Sequence, residues 1–145
     1  MPIVVEKFLT RNDISESDHI DLIKTYADAD EMLWQTVVPD ATSPQAFLAN
    51  CFDNGGILYV ARFNAKLIAA AIVDQHSQLK ALCVRSVTRR RGVAKQFVVD
   101  LAKKHGPVHA LVKSSEAHLV DLFVKGEFVE NHEQSTKDCL VFERY

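Results

Sequence analysis

Residues 82–104 constrain the fold of this chain more than any other stretch, because the period of the apolar pattern changes in the middle of it. Leu82-Cys83-Val84-Arg85-Ser86-Val87 alternates with the period of a half-buried strand, whereas Val93, Phe97, Val98, Leu101 and Ala102 recur at helical spacing. The joint between them is Thr88-Arg89-Arg90-Arg91-Gly92-Val93-Ala94-Lys95. Gly92 lets a ligand approach the backbone, and the first amides of the helix have no acceptor inside it. A strand–turn–helix of this kind can hold a diphosphate on those amides, at the positive end of the helix dipole, with the guanidinium groups adding charge. A solvated basic turn capping a helix is the plainer alternative, since runs of like charge commonly decorate a surface.

Two comparisons sharpen the choice. The lysine-serine ending of a P-loop and the third glycine of a dinucleotide fingerprint are both missing. The spacing Arg89-x-x-Gly92-x-Ala94 instead resembles the signature of the GNAT N-acetyltransferase superfamily, (Gln or Arg)-x-x-Gly-x-(Gly or Ala). In that superfamily the loop holds the diphosphate of acetyl-coenzyme A.

The rest of the composition bounds the reading. With 145 residues, 48% of them hydrophobic, the chain can bury roughly two-thirds of its unfolded surface, enough for one domain over residues 1–145. A formal net charge of −2 argues against a general nucleic-acid binder and makes the arginine cluster a local device. No apolar run approaches the roughly 20 residues of a membrane span, and Met1-Pro2-Ile3-Val4-Val5-Glu6 has no signal-peptide character, so a cytoplasmic protein with no membrane partner is expected. Cys51, Cys83 and Cys139 are odd in number and widely spaced, as reduced thiols would be.

The order of elements reads as mixed α/β (α+β). Val4 to Phe8 forms a first strand, and Ser15 caps a helix with Ile20, Leu22, Ile23 and Tyr26 as its apolar stripe. Ser43 to Cys51 predicts a short helix with Pro44 in its first position and Phe47 and Leu48 inward. After the turn Asp53-Asn54-Gly55-Gly56 come strands Ile57 to Phe63 and Lys66 to Val73, joined tightly at Asn64-Ala65. Leu79 to Val87 is the strand before the joint. Gly106-Pro107 stops the helix after it, and Val108 to Val112 is a further strand. Ser114 or Ser115 caps a helix to about Lys125, with Leu119, Leu122 and Phe123 inward, ended by Gly126. Phe128 to Glu133 and Cys139 to Tyr145 are the last strands. Asp28 to Thr42, with Trp34 and Pro39, gives only weak signals and reads as a loop.

This order is that of the GNAT (acyl-CoA N-acyltransferase) fold, a mixed central sheet flanked by helices. A closer resemblance lies in Tyr59-Val60-Ala61-Arg62-Phe63-Asn64-Ala65-Lys66-Leu67-Ile68-Ala69-Ala70, in Leu82 to Gly92, and in Asp18 to Lys24. These resemble the aspartate decarboxylase maturation and regulatory factor family, called PanZ or PanM, over roughly the first two-thirds of the chain. The chain departs from that family by a longer segment before Ile57, by Ala94 where glycine is usual, and by Gly126-Glu127-Phe128 where Leu-Gly-Phe is common.

The resemblance implies binding of acetyl-coenzyme A, or coenzyme A itself, and association with the aspartate 1-decarboxylase proenzyme and its mature form. In the family the acetyl-coenzyme A complex promotes self-cleavage of the proenzyme to the pyruvoyl form and also inhibits the mature enzyme. By position, Leu82, Cys83 and Val84 would present backbone groups to the pantetheine arm. Thr88, Arg89, Arg90, Arg91, Gly92, Val93, Ala94 and Lys95 would hold the diphosphate. Arg62 and Asn64 on the hairpin would hold the proenzyme, although without the resemblance they read as a solvated turn.

Acetyl transfer to an amine needs a base and often an acid, which in many superfamily enzymes are a glutamate on the strand before the cradle and a tyrosine on the last helix. Leu79 to Val87 contains no carboxylate, and the last helix has Phe123 near the tyrosine's usual place. Glu116 and Asp121 are the nearest acidic candidates. No catalytic residue is therefore assigned, and a regulator is placed ahead of an N-acetyltransferase acting on a small or protein amine. His105, His109, His118 and His132, scattered over the last third, read as solvated or core-satisfied histidines, His76 lies in a probable strand connection, and no metal site is expected.

Overall fold

A computed structural model of the chain describes residues 3–53, 55–85 and 92–144. Its seven-stranded sheet has the order β1-β2-β3-β4-β5-β7-β6. The strands are β1 (Val4–Phe8), β2 (Ile57–Phe63), β3 (Lys66–Val73), β4 (Gln78–Val84), β5 (Val108–Lys113), β6 (Val129–Glu130) and β7 (Cys139–Arg144). The helices are α1 (Glu16–Ala27), α2 (Glu31–Gln35), α3 (Pro44–Asn50), α4 (Val93–His105) and α5 (Ala117–Lys125). β1 to β4 form an antiparallel meander, β5 joins it parallel to β4, and β7 and β6 continue antiparallel.

Each face of the sheet carries its own core. On one, Val93, Phe97, Val98 and Leu101 of α4 and Phe123 of α5 pack on Tyr59, Ala61, Ala69 and Ala71. On the other, Leu22 and Tyr26 of α1, Trp34 of α2 and Phe47 and Leu48 of α3 pack on Leu58, Val60, Leu67 and Ile72. Strands covered on both sides need no polar alternation, which is why β2 and β3 are nearly continuous apolar runs. The hairpin between them turns on Asn64 and Ala65, both left-handed with φ of 48° and 68°. Two positive φ values match the right-handed twist of the strands, so the tight turn forms without the usual glycine.

Several expectations need correction. Residues 28–42 contain the one-turn helix α2, whose N-cap Asp30 accepts the Met32 amide at 2.9 Å. The cap of α5 is Glu116, not Ser114 or Ser115, because the chain makes a further turn after β5 in which the Glu116 amide bonds the Lys113 carbonyl. β6 ends at Glu130 rather than Glu133. Asn131 accepts from the Gln134 and Ser135 amides there and turns the chain out of the ladder. Ile20 is 48% exposed, so the inward face of α1 is Asp18, Asp21, Leu22, Thr25 and Tyr26. That face is polar at one end because it serves the β2–β3 hairpin: Asp21 accepts the Leu67 amide at 3.2 Å, and Asp18 receives Arg62.

The expected strand residues Ser86 and Val87, the cradle residues Thr88 to Arg91, Asn54 of the expected turn and Tyr145 lie outside the described residues. No helix among those described is long and apolar enough to cross a membrane.

Candidate functional site

β4 and β5 are paired only through Gln78↔His109 and Leu79↔Ala110, after which the ladder ends. Parallel strands that stop pairing leave a wedge between them, and two grooves occupy it. One, of about 720 Å³, runs from Leu82, Cys83 and Val84 to Gly92, Ala94 and Lys95 at the start of α4. The other, of about 500 Å³, lies between Leu79 and Ala81 on β4 and Val112 on β5. Leu33 of α2, Leu82 of β4 and Leu119 of α5 border both, so the two grooves share a wall.

A bulge in β4 sits at the meeting point. The pairs Ala70↔Cys83 and Ile72↔Lys80 oppose one intervening residue on β3 with two on β4, and Ala81 takes the left-handed region at φ 54°. An alanine there is strained, so the surroundings must hold it. They do so from α1: the Tyr26 hydroxyl donates to the Ala81 carbonyl at 2.8 Å, and the Cys83 thiol donates to the Thr25 carbonyl at 3.1 Å. Burial, with the Cys83 and Cys51 thiols adding to it, raises the Tyr26 phenol well above its ordinary range, so its proton stays in place. Trp34 closes the same corner through its indole N–H to the Tyr26 carbonyl at 3.2 Å.

At the other end, Gly92 is the N-cap of α4, with φ 74° and no side chain to cap the helix. A Cβ built at Gly92 meets no atom of the described residues within 4 Å. The opening amides of α4 have no intrahelical acceptor, and the residues that carry them line the groove. This arrangement fits an anion with backbone recognition. Of the residues expected to meet a coenzyme, Leu82, Cys83, Val84, Gly92, Val93, Ala94 and Lys95 are thus brought to one groove.

Arg62 and Asn64 are elsewhere and line neither groove. Arg62 makes a bidentate pair with Asp18 at 2.9 and 3.0 Å, donates its Nε to Glu6, and reaches the Ala65 carbonyl at 3.2 Å. Its side chain is 25% exposed, and both carboxylates raise its proton affinity further. Asn64 is exposed at the tip.

The grooves also have walls that sequence reasoning did not assign. Met32 and Leu33 come from α2 and Thr36 from its C-cap, and His118, Leu119 and Lys125 from α5. The Asp30 cap followed by Leu33 and Trp34 was the available signal for the first of these. Among the lining acids, Asp30 caps α2, Glu116 stands at the N-cap of α5 without a side-chain cap bond, and Asp121 pairs with Lys125 at 2.9 Å on an exposed face. No cluster of three potential metal ligands exists among the described residues.

Comparison with known proteins agrees with this geometry. The model of an acetyltransferase (GNAT) domain family, PanZ, matches residues 3–138. The PanD regulatory factor of Escherichia coli (strain K12) is 30% identical over 111 residues, covering 74% of this chain and 84% of that protein. Among solved structures, the N-acetyltransferase PseH of Campylobacter jejuni in complex with acetyl coenzyme A superposes with a TM-score of 0.63 at 12% identity, covering 99% of this chain and 98% of that one. The PaiA N-acetyltransferase of Thermoplasma acidophilum in complex with coenzyme A gives 0.59 at 12% identity, covering 99% of each chain. At such identities these structures establish the fold, a mixed sheet flanked by helices, and the fold alone.

Proposed function

The chain belongs to the PanZ family of GNAT acetyltransferase domains, and from that premise we propose that it is an acetyl-coenzyme A-dependent regulator of aspartate 1-decarboxylase (PanD). It binds the proenzyme, promotes self-cleavage to the pyruvoyl form, and modulates the mature enzyme. The observation that carries this reading is the groove that runs from Leu82, Cys83 and Val84 on β4 to the uncapped start of α4 at Gly92.

In this reading the diphosphate is held by the backbone of Gly92, Val93, Ala94 and Lys95, with Thr88 adding a hydroxyl and Arg89, Arg90 and Arg91 adding charge. Leu82, Cys83 and Val84 border the pantetheine arm. The coenzyme, when bound, supplies an acyl thioester. What this chain's residues do is bind it, orient it along β4 and cover it with Leu33 and Leu119. Arg62 and Asn64 present the hairpin to the decarboxylase, Arg62 by fixing the turn through Asp18 and Ala65 and Asn64 by its exposed amide.

Regulation fits the side chains at the bulge better than amine acetylation does. The Tyr26 hydroxyl is committed to Ala81, Asp30 to its helix and Asp121 to Lys125, which leaves Glu116 as the lining acid that an amine acetylation would have to use. The deciding experiment incubates the chain with uncleaved PanD proenzyme, with and without acetyl-coenzyme A, and follows cleavage on a gel. Faster cleavage only in the coenzyme's presence supports the reading. Cleavage unchanged in both removes it, and steady release of free thiol with a panel of amines would replace it with an N-acetyltransferase.

A further inference from the structure

The wedge opens where a carbonyl of β4 turns away from β5. On the far side of β5, the Ser114 amide donates to the Asp138 carbonyl at 3.0 Å, which fixes the alternation along the β5–β7 ladder. The main-chain groups of His109, Leu111 and Lys113 therefore point away from β7 and toward β4, as the 3.0 Å bond from the His109 amide to the Ser77 carbonyl shows. Continued past Leu79↔Ala110, the same register would bring the Lys113 amide to the Ala81 carbonyl. The bulge turns that carbonyl to the Tyr26 hydroxyl instead. The Leu111 carbonyl and the Lys113 amide are left facing the 500 Å³ groove with no strand partner among the described residues.

An acceptor and a donor at alternate residues of one strand edge are what an extended polypeptide pairs with. Resting on the regulator reading above, we propose that an extended segment of the decarboxylase adds to this edge of β5 as a further strand. The coenzyme of that reading lies in the other groove, which no β5 residue lines. The walls specify what the segment carries. Leu111 is 50% and Met32 63% exposed, and an apolar side chain set beside Leu111 covers both. On the α5 side the Glu116 carboxylate is partly buried and makes no hydrogen bond or ion pair among the described residues. A basic residue next along the segment supplies its partner, so the segment alternates apolar and basic side chains.

The test is residue-resolved amide hydrogen exchange on the whole chain, alone and with the decarboxylase, at saturating acetyl-coenzyme A. The Lys113 amide should exchange roughly tenfold or more slowly in the complex than in the free chain. Lys113→Pro removes that donor and leaves the β7 ladder whole, because the Lys113 amide takes no part in it. Decarboxylase affinity should fall about three- to tenfold in the proline variant and less than about twofold in Lys113→Ala. Acetyl-coenzyme A affinity should be unchanged in both. Exchange is read on the parent chain, so it decides the question even where the proline variant does not fold. A complex that leaves Lys113 exchange unaltered overturns this inference alone, as does equal affinity of the two variants. Absence of any complex with acetyl-coenzyme A present removes the regulator reading and this inference together.

Discussion

The Tyr26 hydroxyl, on the last turn of α1, donates a 2.8 Å hydrogen bond to the Ala81 carbonyl at the strained residue of the β4 bulge. The two residues are 55 apart in sequence and both are buried, so one side chain ties a helix on one face of the sheet to the bulge that borders the groove between β4 and β5. Tyr26→Phe keeps the packing against Phe47 and removes only the donor. It should cost about 1–3 kcal/mol for the unsatisfied carbonyl, seen as a melting temperature lower by roughly 3–8 °C. Coenzyme affinity should fall several-fold by calorimetry. An unchanged melting temperature would mean that strand pairing alone holds the bulge.

Gly92 separates backbone strain from ligand repulsion. Gly92→Ala meets no neighbour but must take φ 74°, costing about 1 kcal/mol and weakening coenzyme binding a few-fold. Gly92→Asp can cap α4 and tolerates the left-handed region better, yet it sets a carboxylate against the diphosphate. Its affinity should fall roughly tenfold or more while its stability matches or exceeds that of the alanine variant. Thermal melts paired with titrations distinguish the two effects.

Arg62 is a tether as well as a candidate contact. Arg62→Ala should destabilise by about 2 kcal/mol, since Asp18 at 7% exposure loses both of its hydrogen bonds from the guanidinium. Coenzyme affinity should be spared and co-purification with the decarboxylase lost. Arg62→Lys keeps the charge but cannot reproduce the fork, so partial recovery of stability without recovery of partner binding would place the turn's shape, not its charge, at the interface.

His105 gives a pH signature. Tyr59 and Ser77 hold its ring nitrogens at 2.8 and 3.3 Å, and burial, then the positive Lys7, lower its proton affinity below the ordinary 6.5. The unfolded chain therefore binds this proton first as pH falls. The contribution to stability is complete above pH 6.5 and is lost as pH drops through 6.5 toward the folded value. Melting temperatures from pH 8 to 5 should decline in the parent and flatten in His105→Asn.

The three thiols should react in two classes. Cys139 is partly exposed, whereas Cys51 and Cys83 are buried, and burial pushes the Cys51 thiol up to about 12. Titration with a thiol reagent near neutral pH should give one equivalent quickly and two more only on unfolding.

The hairpin, α4 and the glycine joint were legible because each rests on neighbours in sequence: apolar period, a cap, a turn at Asn64-Ala65. The five residues of α2 are too few to show a helical period, and its Asp30 cap stood alone in a segment without apolar repeats. The bulge was invisible because alanine does not advertise a positive φ, so nothing at Ala81 in the sequence distinguished it from an ordinary strand residue.

What the sequence determined by itself was the local chemistry: which runs pair as strands, where a helix begins without a side-chain cap, and that three arginines precede it. These follow from interactions within a few residues, so their pattern is written along the chain. Tertiary structure alone decided that β4 and β5 stop pairing after Leu79 and Ala110, that α2 and α5 wall the two grooves there, and that Arg62 is held by Glu6 and Asp18. Each of those joins groups tens of residues apart, and such contacts are set by how two packed cores share one twisted sheet.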